Sequence, residues 1–339
     1  MQQKYYLRAS LSKEILRMKE TVKIASIATI AILCGWLLQS NLGCSNENMP
    51  YSQIPYCCIS PQVPTSLTFA GEEITLTQHD RRERMDREIL AFTYSHINTM
   101  LQIKRANRLF PIVEPILKEC GVPDDFKYLM IIESNGDIHA RSAVGAAGLW
   151  QFMEKTGREY GLEVNNHVDE RYNIEKATRA ACKYLKKSYE EFGNWMTVAA
   201  SYNAGTANIS KRIEAQKQSN AIDLVLVPET SRYLFRLLAV KCIFADPINY
   251  GFIIKKSDLY PPLPIKSTIT IDKSSVSWPD VARKHNLTFL QLREANPWMR
   301  SSTMPNSARK SYTVLIPDAE ALHYDPKKTQ PHDYKWIIR

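Results

Sequence analysis

Glu133 is the residue best placed to handle a proton. Pro123 to Gly136 reads Pro-Asp-Asp-Phe-Lys-Tyr-Leu-Met-Ile-Ile-Glu-Ser-Asn-Gly, a short helix that Asp124 would cap beside Pro123 and that Ser134, Asn135 and Gly136 would stop. Glu133 follows Leu129 by four residues and Met130 by three, so the face that buries those two also carries a carboxyl group. Burial disfavours the charged form, and the negative end of the helix dipole pushes the same way. A Glu kept protonated near neutral pH can act as an acid. The ordinary alternative is a solvated helix-end Glu in an ion pair.

Two further blocks hold polar groups that a ligand could use. In Ser142 to Met153, Gly145 and Gly148 let the backbone turn sharply and come close to a ligand. Trp150 and Gln151 are then expected to open a helix, offering a stacking surface and an amide for a polar substituent, with close helix packing as the other reading. In Trp195 to Gly205, small residues allow tight packing, and Gly205 ends a helix whose last turn carries Tyr202 and Asn203. Singly, these two could equally be a core tyrosine and a capping asparagine.

In this order and separation, Glu133-Ser134, Gly148-Leu149-Trp150-Gln151 and Tyr202-Asn203-Ala204-Gly205 resemble the motifs of the lytic transglycosylase family of the lysozyme superfamily. Asp169-Glu170-Arg171, Phe192 to Trp195, Pro228-Glu229-Thr230 and Tyr233 look most like its membrane-bound branch. The resemblance is strong from about residue 109 to residue 250. It implies a mainly α, goose-type lysozyme-like catalytic domain that cuts the β-1,4 bond between N-acetylmuramic acid and N-acetylglucosamine in peptidoglycan glycan strands and leaves a 1,6-anhydro end. It also implies that Glu133 is acid and base, that Tyr202 and Asn203 align it and the sugar, and that Gln151, Ser142, Ser134 and Gly148 belong to the substrate site. No cofactor is needed.

One carboxyl group suffices for that reaction, whereas ordinary glycosidases pair two. Asp137, four residues on, is the candidate second carboxylate for a water-using muramidase, but it follows Gly136 in a loop. Asp169 and Arg171 read as a structural ion pair. A non-catalytic glycan-binding scaffold is the rival from another class, and an acidic residue at 133 argues against it. The formal charge of +9 suits a polyanionic partner, yet the basic residues are dispersed and no nucleic-acid motif appears. Seven His show no ligand spacing, so no metal is implied. Ser307 and Lys310 fit a Ser-x-x-Lys spacing without its partner motifs, a coincidence. Cys120, Cys182 and Cys242 read as buried or unpaired thiols.

The rest of the chain must carry and position these blocks. Six Lys or Arg in the first 23 residues precede an uncharged run from Ile24 to Leu38, the grammar of an export signal. Residues 1–44 are therefore a signal peptide or membrane anchor, and Leu42-Gly43-Cys44 resembles a lipoprotein acylation site. Translation from Met18 would leave a more ordinary signal. The expected location is the cell envelope, facing the periplasm, with the membrane reached through the N-terminal segment or a lipid on Cys44. Pro50, Pro55, Pro61 and Pro64 make 45–80 a flexible linker. Helical periodicity fills 81–255, the catalytic domain, and Tyr260 to Pro264 stiffens a Pro-rich linker over 256–265.

Residues 266–317 then form a small β-α-α-β unit, with strands near Ile269 and over Tyr312 to Pro317 and helices over Pro279 to His285 and Phe289 to Ala295. Its order and Asn296-Pro297-Trp298 resemble a lysin motif, a glycan-binding module, but the usual Gly-Asp-Thr turn is missing from Thr268 to Val276. A purely structural role stays open for it. Residues 318–339 read as a loose tail, and nothing in the spacing sets an oligomeric state.

Overall fold

The structure, a computed structural model, describes residues 60–338. The expected signal or anchor, Cys44 and the first part of the expected linker lie outside them. The described chain starts with a hairpin of β1 (Ser66–Phe69) and β2 (Glu72–Thr75), paired antiparallel with Phe69 opposite Glu72. Its two-residue turn needs positive φ twice, and Ala70 (53°) and Gly71 (84°) supply it. Phe69, Ile74 and Leu76 are buried, and Phe69 packs edge-on against Phe126 with ring centroids 5.6 Å apart. The Asp125 carboxylate accepts from the Ala70 N–H (2.6 Å) and from Lys241 Nζ (2.7 Å). The expectation of a flexible linker over 45–80 is thus corrected for its described part. Strands of four residues among prolines are too short to show their alternation.

Eight α-helices follow among the described residues of the main domain: α1 (His79–Tyr94), α2 (His96–Cys120), α3 (Lys127–Ser134), α4 (Glu154–Glu159), α5 (Ile174–Phe192), α6 (Trp195–Ala204), α7 (Thr206–Gln216) and α8 (Pro228–Ala245). Asn173 and Asn194 cap α5 and α6 by accepting from the N–H groups of Lys176 and Thr197. Helix α8 opens with proline and packs on α1, α3 and α6, burying Leu234, Phe235, Leu237 and Leu238. It runs through the core, so its polar residues can reach the ends of several helices.

The C-terminal module comprises β3 (Ile265–Ile271), β4 (Ser275–Ser277), α9 (Trp278–Lys284), α10 (Phe289–Ala295), β5 (Thr303–Pro305) and β6 (Tyr312–Pro317). Antiparallel β3 and β6 place Ile269 opposite Val314. The small β4–β5 pair adds to the expected β-α-α-β order. Trp278 and Trp298 meet edge-on at 5.7 Å, and Trp298 stacks on Tyr312 at the same spacing. The module's large aromatics are therefore consumed by its own core.

The stiff linker and the tail expected to be loose are both docked. The 256–265 stretch lies along α2, where Asn107 Nδ2 donates to Tyr260 O (3.1 Å) and Arg108 Nε to Pro261 O (2.9 Å). In the tail, Trp336 is only 2% exposed and donates from Nε1 to Phe244 O (2.7 Å), while His332 meets Glu114 at 3.0 Å. A polar segment is held here by one large apolar anchor and satisfied hydrogen bonds, a combination that average composition hides.

Candidate functional site

Glu133 sits at the end of α3. A 3-10 turn, Asp124–Phe126, feeds the helix, and Asp124 does not cap it as expected but accepts from Lys127 Nζ (2.6 Å). The helix stops because Asn135 adopts the left-handed conformation (φ 55°), with its side-chain oxygen accepting from Gln102 Nε2 (2.8 Å). Leu129, Met130, Ile131 and Ile132 are buried, and Glu133, next in line, is half-buried. Its Oε1 accepts a 2.5 Å hydrogen bond from the Tyr233 hydroxyl on α8. Burial pushes the Glu133 carboxyl up to about 7; the Tyr233 hydrogen bond and Arg236 pull it back, and Glu229 adds to the rise. Burial likewise drives Tyr233 well above the usual phenol range, with Glu133 reinforcing it, so this hydroxyl keeps its proton and stays a donor.

Of the other predicted residues, Tyr202 and Asn203 connect to this pair, whereas Ser142 and Gln151 are held within the 140–152 loop. Tyr202, on α6, donates to Trp150 O (2.7 Å), and its phenol is raised chiefly by burial and next by Glu133. Asn203 Oδ1 accepts from Thr230 Oγ1 (2.8 Å). Thr230 and Tyr233 are three residues apart on α8, so one helix face serves both Asn203 and Glu133. Ser142 is half-buried and its Oγ accepts from the Ala146 N–H (3.0 Å). Gln151 has φ 48° and spends its Nε2 on Gly148 O (2.8 Å) and Ala140 O (3.3 Å), which stiffens the loop and leaves Oε1 for an incoming donor.

Four expectations for this region need revision. Trp150 is fully buried with Nε1 donating to Thr178 Oγ1 (2.9 Å), so it is core and not a stacking surface. Residues 148–151 form a turn, Phe152 bridges Ala147, and α4 starts only at Glu154. Gly148 is glycine because a Cβ there would lie 1.9 Å from Arg171 O, so the close approach is to the protein's own backbone and not to a ligand. Ser134 is buried and donates its hydroxyl to Met130 O (3.0 Å).

Asp169 and Arg171 form the expected ion pair, with Nη2 2.7 Å from Oδ2 and Nε 2.9 Å from Oδ1, both residues buried. Arg171 Nη1 also donates to Gly145 O (2.9 Å) and Phe152 O (3.1 Å), clasping both ends of the Gly145–Phe152 loop. Asp137 is taken up by the His139 N–H (2.9 Å) and Arg105 (3.6 Å). Tyr233 and Thr230 are the site residues not assigned a role from sequence. Both were visible only as part of the resemblance, which assigned them no role.

Residues 112–225 match the family model for the transglycosylase SLT domain, and residues 267–320 that for the soluble lytic transglycosylase C-terminal LysM-like domain. Among curated relatives, the membrane-bound lytic murein transglycosylase D of Escherichia coli K12, and that of a second E. coli strain, are 28% identical over 262 residues, 75% of this chain. The match covers 56% of those proteins, so the chain spans about half the length of the curated relatives it matches. Similar solved structures are the 70 kDa soluble lytic transglycosylase of E. coli (19% identity, TM-score 0.37, 48% of this chain and 29% of that one) and the lytic transglycosylase Slt of Pseudomonas aeruginosa (21%, 0.36, 50% and 33%). The fold is mainly helical, and the small strand-and-helix domain that follows it coincides with the LysM-like match. Tyr233 lies on α8, beyond the matched SLT residues, so the hydrogen-bond donor to Glu133 comes from outside the span that names the domain.

Proposed function

We propose that this protein is a peptidoglycan lytic transglycosylase in which Glu133 is both acid and base. The carrying observation is a carboxyl group raised to about 7 by burial and gripped by a phenol that keeps its own proton. The protonated carboxyl donates to the glycosidic oxygen as the bond from N-acetylmuramic acid breaks, and the resulting carboxylate is steadied by Tyr233. It then removes the proton from the C6 hydroxyl of the same sugar as that oxygen closes on C1, giving the 1,6-anhydro ring without water. Asn203, Ser142 and Gln151 hold the sugar, and Tyr202 positions the loop that carries Gln151. Asp137 is engaged with Arg105, which disfavours a two-carboxylate hydrolysis. The catalytic domain occupies the helical residues 81–255 and the LysM-like domain 266–317. The protein acts in the cell envelope on glycan strands, anchored to the membrane through its N-terminal segment or a lipid on Cys44 and facing the periplasm. Mass spectrometry of fragments released from purified sacculi by the full chain tests this: anhydro-ended products are expected, and products heavier by one water would establish a hydrolytic muramidase instead.

A further inference from the structure

The LysM-like module is sewn onto the catalytic domain along one segment, residues 163–172. Val168 is 1% exposed and packs in the module's core with Trp278, Leu292 and Val314, although it belongs to the catalytic sequence. On either side of it the backbones pair as a short antiparallel ribbon: Val168 bridges Met299, the Asp169 N–H donates to Trp298 O (3.0 Å) and the Arg300 N–H to His167 O (3.0 Å). Side chains extend the seam. Glu163 accepts from Lys310 Nζ and the Tyr312 hydroxyl, both at 3.1 Å, and the Arg300 guanidinium lies 4.4 Å over the Tyr172 ring.

The same segment is what grips the candidate site. Asp169 fixes Arg171, and Arg171 holds Gly145 O and Phe152 O. Gly148 rests against the Arg171 carbonyl so closely that no side chain would fit. Between those anchors lie Gln151 and Trp150, the carbonyl of which receives Tyr202. We propose that the module works as a brace: by capturing Val168 it sets Asp169 and Arg171, and through them the position of the Gln151 loop at Glu133. Val168, Asp169 and Arg171 are then positioning residues of the lytic reaction. The functional part of this inference rests on the lytic reading above. The structural part does not.

Two matched deletions in the full chain test it. Val168→Ala and Val276→Ala each remove two methyl groups from the same module core, but Val276 lies on β4, opposite Met304, and is not part of the 163–172 segment. Hydrogen exchange of the Gly145, Ala147 and Gly148 amides, bonded in the structure to Ser142 O, Phe152 O and Ala140 O, reads the loop directly. Val168→Ala is expected to speed that exchange about tenfold and to lower kcat on soluble glycan strands about tenfold with KM little changed, and Val276→Ala to do neither. Should Val168→Ala fail to fold, Arg300→Ala, which removes the side chain whose guanidinium lies over Tyr172 and leaves the module core intact, reads the same two quantities. Unchanged exchange in the seam variant, equal acceleration in Val276→Ala, or a raised KM at constant kcat overturns the brace. An inactive wild-type chain would count against the lytic reading alone, and the exchange measurement would still decide the brace.

Discussion

The Tyr233 hydroxyl reaches Glu133 Oε1 at 2.5 Å from a helix 100 residues further along the chain. A buried carboxyl that must give and retake one proton needs a neighbour that never ionises with it, and a phenol raised far above neutrality meets that need.

Tyr233→Phe tests this pairing. The hydrogen bond favours the charged carboxylate, so its loss raises the Glu133 carboxyl further above its ordinary value. The expected result is a rate profile whose alkaline limb, set by loss of the Glu133 proton, moves to higher pH, with kcat reduced about tenfold because the carboxyl loses its fixed orientation. A limb that stays in place or moves to lower pH would show that Tyr233 does not govern Glu133.

Glu133→Gln has two expected effects. Lysis of sacculi falls by about 10³-fold or more, since the amide has no proton to lend. Stability changes in the opposite sense. A carboxyl near 4.5 in the unfolded chain and about 7 in the folded one contributes fully below about pH 4.5, and that contribution is lost as pH rises through about 7. Glutamine does not titrate, so the variant should gain on wild type by about 3 kcal/mol between pH 4 and pH 9, measured by urea unfolding. A difference flat with pH would mean that Glu133 ionises as freely in the folded protein as in water.

Much of this was readable from residue order. Leu129 and Met130 imply a burying face, and Glu133 shares it; Gly205 marks the end of the helix that carries Tyr202 and Asn203; the alternation at Ile269 and Ile271 marks a strand. What could not be read is where a group's partner comes from. Gly148 shows that something comes close, but only tertiary structure reveals that it is the Arg171 carbonyl. Trp150 is as suitable for a sugar platform as for a core, and Thr178, 28 residues away, decides it by taking the indole N–H. Tyr233 was visible as part of a resemblance, but its role required the crossing of α8 over α3.

Gly148→Ala should be disabling without touching substrate. The new methyl would lie 1.9 Å from Arg171 O at a backbone angle (φ 76°) that side chains avoid, and Asp169 prevents Arg171 from backing away. A loss of about 3 kcal/mol or more is expected in chemical denaturation. If the variant is as stable as wild type, the loop and the 169–171 segment do not touch in solution.

Trp336→Ala addresses the end of the chain. The indole packs edge-on against Phe110 and Phe244 at 5.8 and 5.5 Å and gives its N–H to Phe244 O, so deletion removes a large apolar surface and leaves a buried carbonyl unpaired. The cost should be about 3–5 kcal/mol, against less than about 0.5 kcal/mol for a residue in a loose tail. Because Phe244 is on α8, the helix that also bears Thr230 and Tyr233, the loss should appear as an earlier unfolding of the main helical domain rather than as release of the C-terminal segment alone. Urea titration followed by limited proteolysis separates the two. A variant cleaved within residues 325–338 while its unfolding midpoint is unchanged would show that the segment is dispensable to the core.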